Sequence, residues 1–256
     1  MTDIHSHILY DMDDGPESFG DSLKMCETAA EYGIDKIITT SHLTSPGMID
    51  AFIKKRGSRL ERLREEVSAR RIGLELFHGA EVYVDDDIFY AKGLEKVTLN
   101  DSRYLLVEFD FKSLGANRLI RYIEEIFKMG LVPIVAHPER YRYLQSDYGI
   151  VNYLVDMDVL FQINAGSLAS LGGREEFELA HQMALNNAAS FIATDSHSHH
   201  GRSNDLLRMV RYFPPDIRRE SLDYMLYDSP QAVLDDRPVP RIVRRRIVRK
   251  KRKGWA

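Results

Sequence analysis

Residues 18–42 read SFGDSLKMCETAAEYGIDKIITTSH, and this stretch sets the fold class. Ser18 stands where a helix N-cap belongs, an apolar-periodic run extends from Phe19 to Tyr32, and Gly33 is the stop signal. Lys36–Ser41 is then a short β-branched, apolar run, and His42 follows at its C-terminal end. The same alternation spreads outward in both directions. Strand-like runs lie at Asp3–Ile8, Leu74–Tyr83, Tyr104–Phe109, Val132–Ala136, Val159–Asn164 and Ser190–Thr194. Helical patterns lie at Met48–Arg70, Asn117–Met129, Asp147–Asp156 and Glu175–Asn187, with Gly73 and Gly130 stopping two of them. Strands alternating with helices build parallel βα units rather than a sandwich. The expectation is one α/β domain, a barrel-like (βα)7 arrangement. An open doubly wound sheet has the same periodicity and is the alternative.

The bulk properties narrow the class. A chain of 256 residues, 44% hydrophobic and 29% charged, suits one soluble domain with a large core. No apolar run reaches the ~18 residues of a membrane span. Asp3, His5, His7 and Asp11 interrupt any signal-peptide core at the N-terminus. Cys26 is the one cysteine, which excludes a disulfide framework and fits a reducing compartment. It lies in a helical pattern with no arginine six positions on, so it reads as a small buried hydrophobe rather than a nucleophile. The net charge of −4 hides an uneven distribution: residues 241–256 carry nine Lys and Arg and no acid. The rest holds 26 basic against 39 acidic residues, an acidic body suited to cations.

The ionisable residues carry the functional signal. His5 and His7 lie in the first strand, with Asp14 just beyond. His42, Glu81, Glu108 and His137 close the next four strands, and Asp195 and His197 follow the last. In a βα barrel the C-terminal strand ends converge on one mouth. A His-x-His pair in a strand puts both imidazoles on one face, because side chains alternate with period two. Imidazole and carboxylate ligands without thiolate suit Mn, Fe, Zn or Co, and several such ions activate water and clamp a phosphate. Any one of these residues is commonly an ordinary satisfied polar group; the conjunction at six strand ends is what argues for a metal site. His78 is left out of the set, His181 reads as structural, and His199 and His200 read as solvated.

The stretches DIHSHILYDMDDGPES, TTSHL, GAEVY, LNDSRYLLVEF, VAHPERY and ATDSHSHHGR resemble the successive motifs of the PHP (polymerase and histidinol phosphatase) superfamily. Within it they are similar to the bacterial manganese-dependent tyrosine-protein phosphatases of capsule and exopolysaccharide synthesis. The likeness runs from residue 3 to about 232, in matching order and spacing. DDGP after His-x-His, and Asp-x-His followed by Gly-Arg, are its specific marks. The loop after His42, LTSPGMID, carries less charge than this branch often has, and the basic tail lies outside the pattern.

The resemblance implies a distorted (βα)7 TIM-like barrel, the PHP fold, with a phosphatase domain at 1–236 and a basic tail at 237–256. It implies three ions, Mn2+ foremost, with Fe, Co, Zn and Mg as alternatives. His5, His7, Glu81 and Asp195 would hold the first; Glu81, Glu108 and His137 the second; Asp14, His42 and His197 the third. Arg140 and Arg202 match the arginines that grip the substrate phosphate. The implied substrate is phosphotyrosine on a membrane tyrosine kinase of polysaccharide synthesis, met in the cytoplasm or at the inner face of the membrane. Rival readings are another PHP phosphoesterase, such as a histidinol phosphatase or a nuclease, and a non-catalytic kinase-binding regulator. The tail itself suits an anionic membrane, a solubilising extension or a nucleic acid.

Overall fold

The computed structural model describes residues 1–200 and 203–249. The elements run β1 (Thr2–Ser6), α1 (Phe19–Glu31), β2 (Lys36–Thr39), β3 (His42–Leu43), α2 (Ile49–Ala69), β4 (Glu75–His78), β5 (Glu81–Tyr83) and β6 (Tyr104–Glu108). They continue with α3 (Ala116–Lys128), β7 (Val132–Ala136), α4 (Arg142–Ser146), α5 (Tyr148–Asp156), β8 (Leu160–Asn164), α6 (Ala165–Leu168), α7 (Arg174–Leu185) and β9 (Phe191–Ala193). Short helices α8 (Leu206–Val210), α9 (Arg219–Asp223) and α10 (Ser229–Leu234) close the domain. The Ser18 hydroxyl caps α1 by accepting the Asp21 N–H at 3.2 Å, an interaction worth about 1 kcal/mol.

All strand pairs are parallel, in two sheets ordered β1-β2-β4 and β3-β5-β6-β7-β8-β9. This corrects the sequence reading, in which Lys36–Ser41 and Leu74–Tyr83 were one strand each. Both are broken at the same level, since Thr39 pairs with His78 before the break and His42 with Glu81 after it. The cause lies in what surrounds the break. A Cβ on Gly79 would stand 2.8 Å from Leu99 Cδ2 and 2.9 Å from Ile38 Cγ2, so the chain passes where no side chain fits. Opposite it, Thr40 turns toward β1: its N–H donates to the Ser6 carbonyl and its hydroxyl accepts the Ser6 N–H, both at 2.9 Å.

Backbone hydrogen bonds join the two sheets at both seams. The Glu81 N–H reaches the Thr40 carbonyl at 3.2 Å on one side. On the other, Asp195 N–H donates to the His5 carbonyl at 2.8 Å and His7 N–H to the Ser196 carbonyl at 2.9 Å. The buried Asp3 carboxylate reinforces this second seam, accepting from Thr194 N–H at 3.1 Å and the Thr194 hydroxyl at 2.5 Å.

The strands are apolar on both faces, as parallel strands covered on both sides must be. Ile4, Ile38, Leu106, Ile134, Leu160 and Phe191 belong to one apolar cluster. The alternate residues Ile37, Leu105, Val107, Val135 and Ile163 join a larger cluster with the helices. The α3 stripe Leu119, Tyr122, Ile123 and Ile126 recurs at helical spacing and is buried in the second cluster. No helix among the described residues is long and apolar enough to cross a membrane.

Candidate metal centre

The strand ends deliver the ionisable residues to one place. β1 stops at Ser6, so His5 is its penultimate residue and His7 the first beyond it. His42 and Glu81 open β3 and β5 and are paired in register, because the broken strands restart at this level. Glu108 closes β6. His137 and Asp195 follow β7 and β9 with φ of +32° and +51°. Such left-handed turns are strained for residues with a Cβ and concentrate at functional sites. Asp14 comes from the loop after β1. That loop lies close over its own strand at Gly15, where a Cβ would stand 2.3 Å from the His7 carbonyl oxygen.

Glu81 stands at the centre. Its Oε2 is 3.2 Å from both His5 Nε2 and His7 Nε2 and 3.0 Å from His42 Nδ1. Its Oε1 is 2.9 Å from His137 Nε2, which lies 3.6 Å from Glu108 Oε1. Asp195 Oδ1 approaches His5 Nε2 to 3.5 Å and His7 Nε2 to 3.6 Å. Asp14 Oδ1 sits 3.2 Å from His197 Nε2 and 3.5 Å from His42 Nε2. Three overlapping groups have donor atoms within 4.8 Å of one another: His5, His7 and Glu81; His42, Glu81 and Glu108; and His7, Asp14, His42 and His197. All nine residues singled out as ligands in the sequence therefore meet.

The donor set fits divalent cations. Glu81 Oε2 and His42 Nδ1 are buried and 3.0 Å apart, yet neither atom makes a hydrogen bond. Lone pairs converging on a common point leave that signature, and buried polar atoms otherwise find partners. The charges point the same way. Burial opposes an imidazolium at His7, but the hydrogen bond to Asp13 and the nearby charge of Glu81 overcome it and hold its pKa up at about 10. Burial raises the Glu108 carboxyl to about 7, with the Glu81 charge adding to it. Glu81 is opposed by its own burial but is kept ionised, well below the usual range, by the imidazoles of His5, His137 and His42. A cluster that calls for this much positive charge is one that metal ions neutralise while the imidazoles stay neutral ligands.

Behind the clustered side chains lies a layer that the sequence reading missed. Gln162 Oε1 is 2.7 Å from His5 Nδ1, its Nε2 donates to Asn164 Oδ1 at 2.8 Å, and Asn164 Nδ2 donates to Asp195 Oδ2 at 2.8 Å. The buried Glu139 carboxylate holds Asn164 in turn, accepting its N–H at 2.8 Å. Asp13, not Asp14, orients His7: its Oδ2 lies 2.7 Å from His7 Nδ1 and accepts the His42 N–H at 2.7 Å. Outer partners of this kind fix the tautomer and aim of metal-bound imidazoles. Two polar residues at period two in the buried apolar strand Leu160–Asn164 were the available signal.

Arg140 reaches the cluster from the turn after β7. Its Nη1 is 3.5 Å from Asp195 Oδ2, and its guanidinium lies 4.8 Å over the Phe111 ring. Arg202 falls outside the described residues. A cavity of about 470 Å³ opens beside Arg140, Asn164 and Thr194, and one of about 350 Å³ beside Asp14, His42 and Phe52. His78 pairs with Asp101 at 2.9 Å and His181 with Asp216 at 2.8 Å, neither with the cluster. His199 is half-buried and His200 exposed. Cys26 is buried in the core, and burial pushes its thiol pKa upward.

Comparison with known proteins agrees with this geometry. The family model described as capsular polysaccharide synthesis, CpsB/CapC, matches residues 1–235. The chain is 34% identical to the putative tyrosine-protein phosphatase CapC of Staphylococcus aureus over 77% of each chain. It is 29% identical to the tyrosine-protein phosphatase YwqE of Bacillus subtilis over 96% of this chain and 98% of that one. A solved structure from work on YwqE and on CpsB of Streptococcus pneumoniae, described as unique metal-dependent tyrosine phosphatases, superimposes with a TM-score of 0.82 at 25% identity. That match covers 97% of this chain and 100% of the other.

Proposed function

The chain belongs to the CpsB/CapC family of capsular polysaccharide synthesis, and from that membership we propose that it is a metal-dependent protein-tyrosine phosphatase. The observation that carries the reading is the convergence of nine His, Asp and Glu side chains, with Glu81 at the centre, into one cluster. We read the two joined sheets as one distorted (βα)7 barrel with this cluster at its mouth. Residues 1–236 are then the phosphatase domain and 237–256 its tail.

The overlapping donor groups support a reading with three ions. His5, His7, Glu81 and Asp195 would hold one, Glu81, Glu108 and His137 a second, and Asp14, His42 and His197 a third. Mn2+ suits this thiolate-free set, and Fe, Co, Zn and Mg are its competitors. When bound, such ions activate water and neutralise charge on a phosphoryl group. The chain's own groups do the rest. Arg140 offers a planar donor pair to the phosphoryl oxygens from the edge of the cluster, and Phe111 beneath it fixes the guanidinium. Arg202 is its proposed companion. Gln162, Asn164 and Asp13 hold His5, Asp195 and His7 at the angles the ions require. A phenol leaves as a good leaving group, with a pKa of ~10, so a strong general acid is not needed.

The proposed substrate is phosphotyrosine on a tyrosine kinase of polysaccharide synthesis, and the proposed site of action is the cytoplasm. The test is phosphate release from a phosphotyrosine peptide, with Mn2+ or with chelator, for the wild type and His137→Ala. Release with Mn2+ that falls on the order of a hundredfold or more in the variant is expected. Turnover of histidinol phosphate or single-stranded DNA in preference to the peptide would replace the reading with another PHP phosphoesterase. Bound metal with no turnover on any of the three would make the chain a non-catalytic regulator.

A further inference from the structure

Residues 237–249 form a strap across the outside of the domain. The Tyr104 hydroxyl donates to the Arg237 carbonyl at 2.7 Å and accepts the Val239 N–H at 3.1 Å. Asn187 Nδ2 donates to the Val243 carbonyl at 2.7 Å, and Arg245 N–H donates to the Asn186 carbonyl at 2.9 Å. Asn152 clamps Ile247 through both backbone groups: its Oδ1 accepts the N–H at 2.9 Å and its Nδ2 donates to the carbonyl at 3.0 Å. The Arg249 guanidinium donates to the Ser146 carbonyl at 3.0 Å. The contacts thus run backward along α5, from Asp158 and Asp156 at its end to Ser146 before its start. Ser146 closes α4, which follows the Arg140 turn, so the strap ends on the side where the metal ligands are delivered.

Ile247 is buried, and Val239 and Ile242 pack partly against the core, while several of the strap's other side chains turn out. Val243 is 81% exposed and Val248 68%, while Arg241, Arg245, Arg246 and Arg249 are exposed around them. Tyr153, on α5, is half exposed. Arg241 and Arg246 pair with Asp158 and Asp156, but these exposed pairs are screened by water and do more to set the strap's path than to cancel its charge. Among the described residues no carboxylate pairs with Arg245 or Arg249. The sequence then continues KKRKGWA, with the one tryptophan of the chain at 255. The family model stops at residue 235, so this basic surface belongs to the part of the chain beyond it.

We propose that the strap is a docking surface for an anionic lipid bilayer. Cations alone fit any polyanion. Exposed valines interleaved with arginines fit a surface that takes up apolar groups beneath a layer of phosphates. Residues 1–240 carry 26 basic against 39 acidic residues, so such a bilayer would repel the body of the protein and favour attachment by this face.

The test is sedimentation of the full chain with phosphatidylcholine vesicles, plain or containing phosphatidylglycerol, with circular dichroism checking each variant's fold. Binding only to the anionic vesicles is expected. Arg245→Gln with Arg249→Gln should weaken it roughly thirtyfold, each basic residue near such a surface contributing about fivefold. Val243→Ser with Val248→Ser should weaken it several-fold at unchanged charge. Absence of binding by the wild type, or binding that either pair of substitutions leaves intact, overturns the proposal. Displacement from the vesicles by an equal phosphate concentration of duplex DNA would instead make the strap a nucleic-acid surface.

Discussion

Gln162 stands behind two of the clustered side chains at once, touching His5 directly and Asp195 through Asn164. Truncating it to alanine removes the acceptor that fixes the His5 tautomer and frees Asn164 to turn away from Asp195. The expected outcome for Gln162→Ala is a roughly 10–100-fold loss of metal affinity, the usual cost of an outer partner. A competitive chelator titration measures it, with an unchanged urea midpoint showing that the fold survives. Unchanged affinity would reduce the relay to core packing. Asp13→Asn should behave alike, because it removes the charge that supports His7 and leaves the His42 N–H with a weaker acceptor. The clustering residues themselves were legible in the sequence, since imidazoles and carboxylates ending several apolar strands have few structural reasons to be there. Their supports were not: a neutral amide such as Gln162 has the same appearance whether it serves a metal or satisfies a neighbouring carbonyl. Asp13 and Asp14 are adjacent identical residues, and spacing alone does not say which faces the ions.

The broken strands show how an element serves the site. β5 starts at Glu81 only because the chain is interrupted at Gly79 and Ala80, and β3 starts at His42 for the matching reason. An unbroken pair would keep the ordinary pleat, and the inward or outward aim of Glu81 would then be set by strand alternation from Glu75. Gly79→Ala inserts a methyl within 3 Å of Leu99 and Ile38. Overpacking of this kind costs about 1–3 kcal/mol, read as a lower urea midpoint at unchanged slope. Because Glu81 is two residues on, metal affinity should fall as well, whereas Gly57→Ala, with open space around it on α2, should leave affinity unchanged. Affinity equal to wild type in Gly79→Ala would mean that the break merely accommodates Leu99. Helix limits were readable to within about two residues, because caps and the 3.6-residue period mark them locally. The breaks were not, because Lys36–Ser41 is continuous in β propensity and its interruption depends on Ser6 and Leu99, far away in sequence.

For the whole molecule, the cluster joins strands from both ends of the chain, since His5 and His7 precede β2 while Asp195 and His197 follow β9. Ions bound there would tie β1 to β9 across the second seam, and any ion that binds the folded chain alone stabilises it. Each such ion at a hundred times its Kd adds about 2.7 kcal/mol. In a chain of this size 1 kcal/mol moves Tm by about 2–4 °C. Chelation should therefore lower Tm by about 10 °C or more, and by much less in His137→Ala, which has already lost affinity. The size of that drop should depend on pH. In chelated protein His7 has a folded pKa near 10, above its ordinary value of 6.5, despite burial that opposes it. A raised folded pKa on a histidine gives stability that is complete below 6.5 and is lost as pH rises toward 10. Metal-loaded protein follows the opposite trend, because its imidazoles must be deprotonated to bind and acid competes with the ions. The gap in Tm between loaded and chelated protein should widen from pH 6.5 upward, measured by calorimetry in matched buffers. A gap that narrows with rising pH would mean that the ions bind elsewhere, or that His7 stays neutral between Asp13 and Glu81.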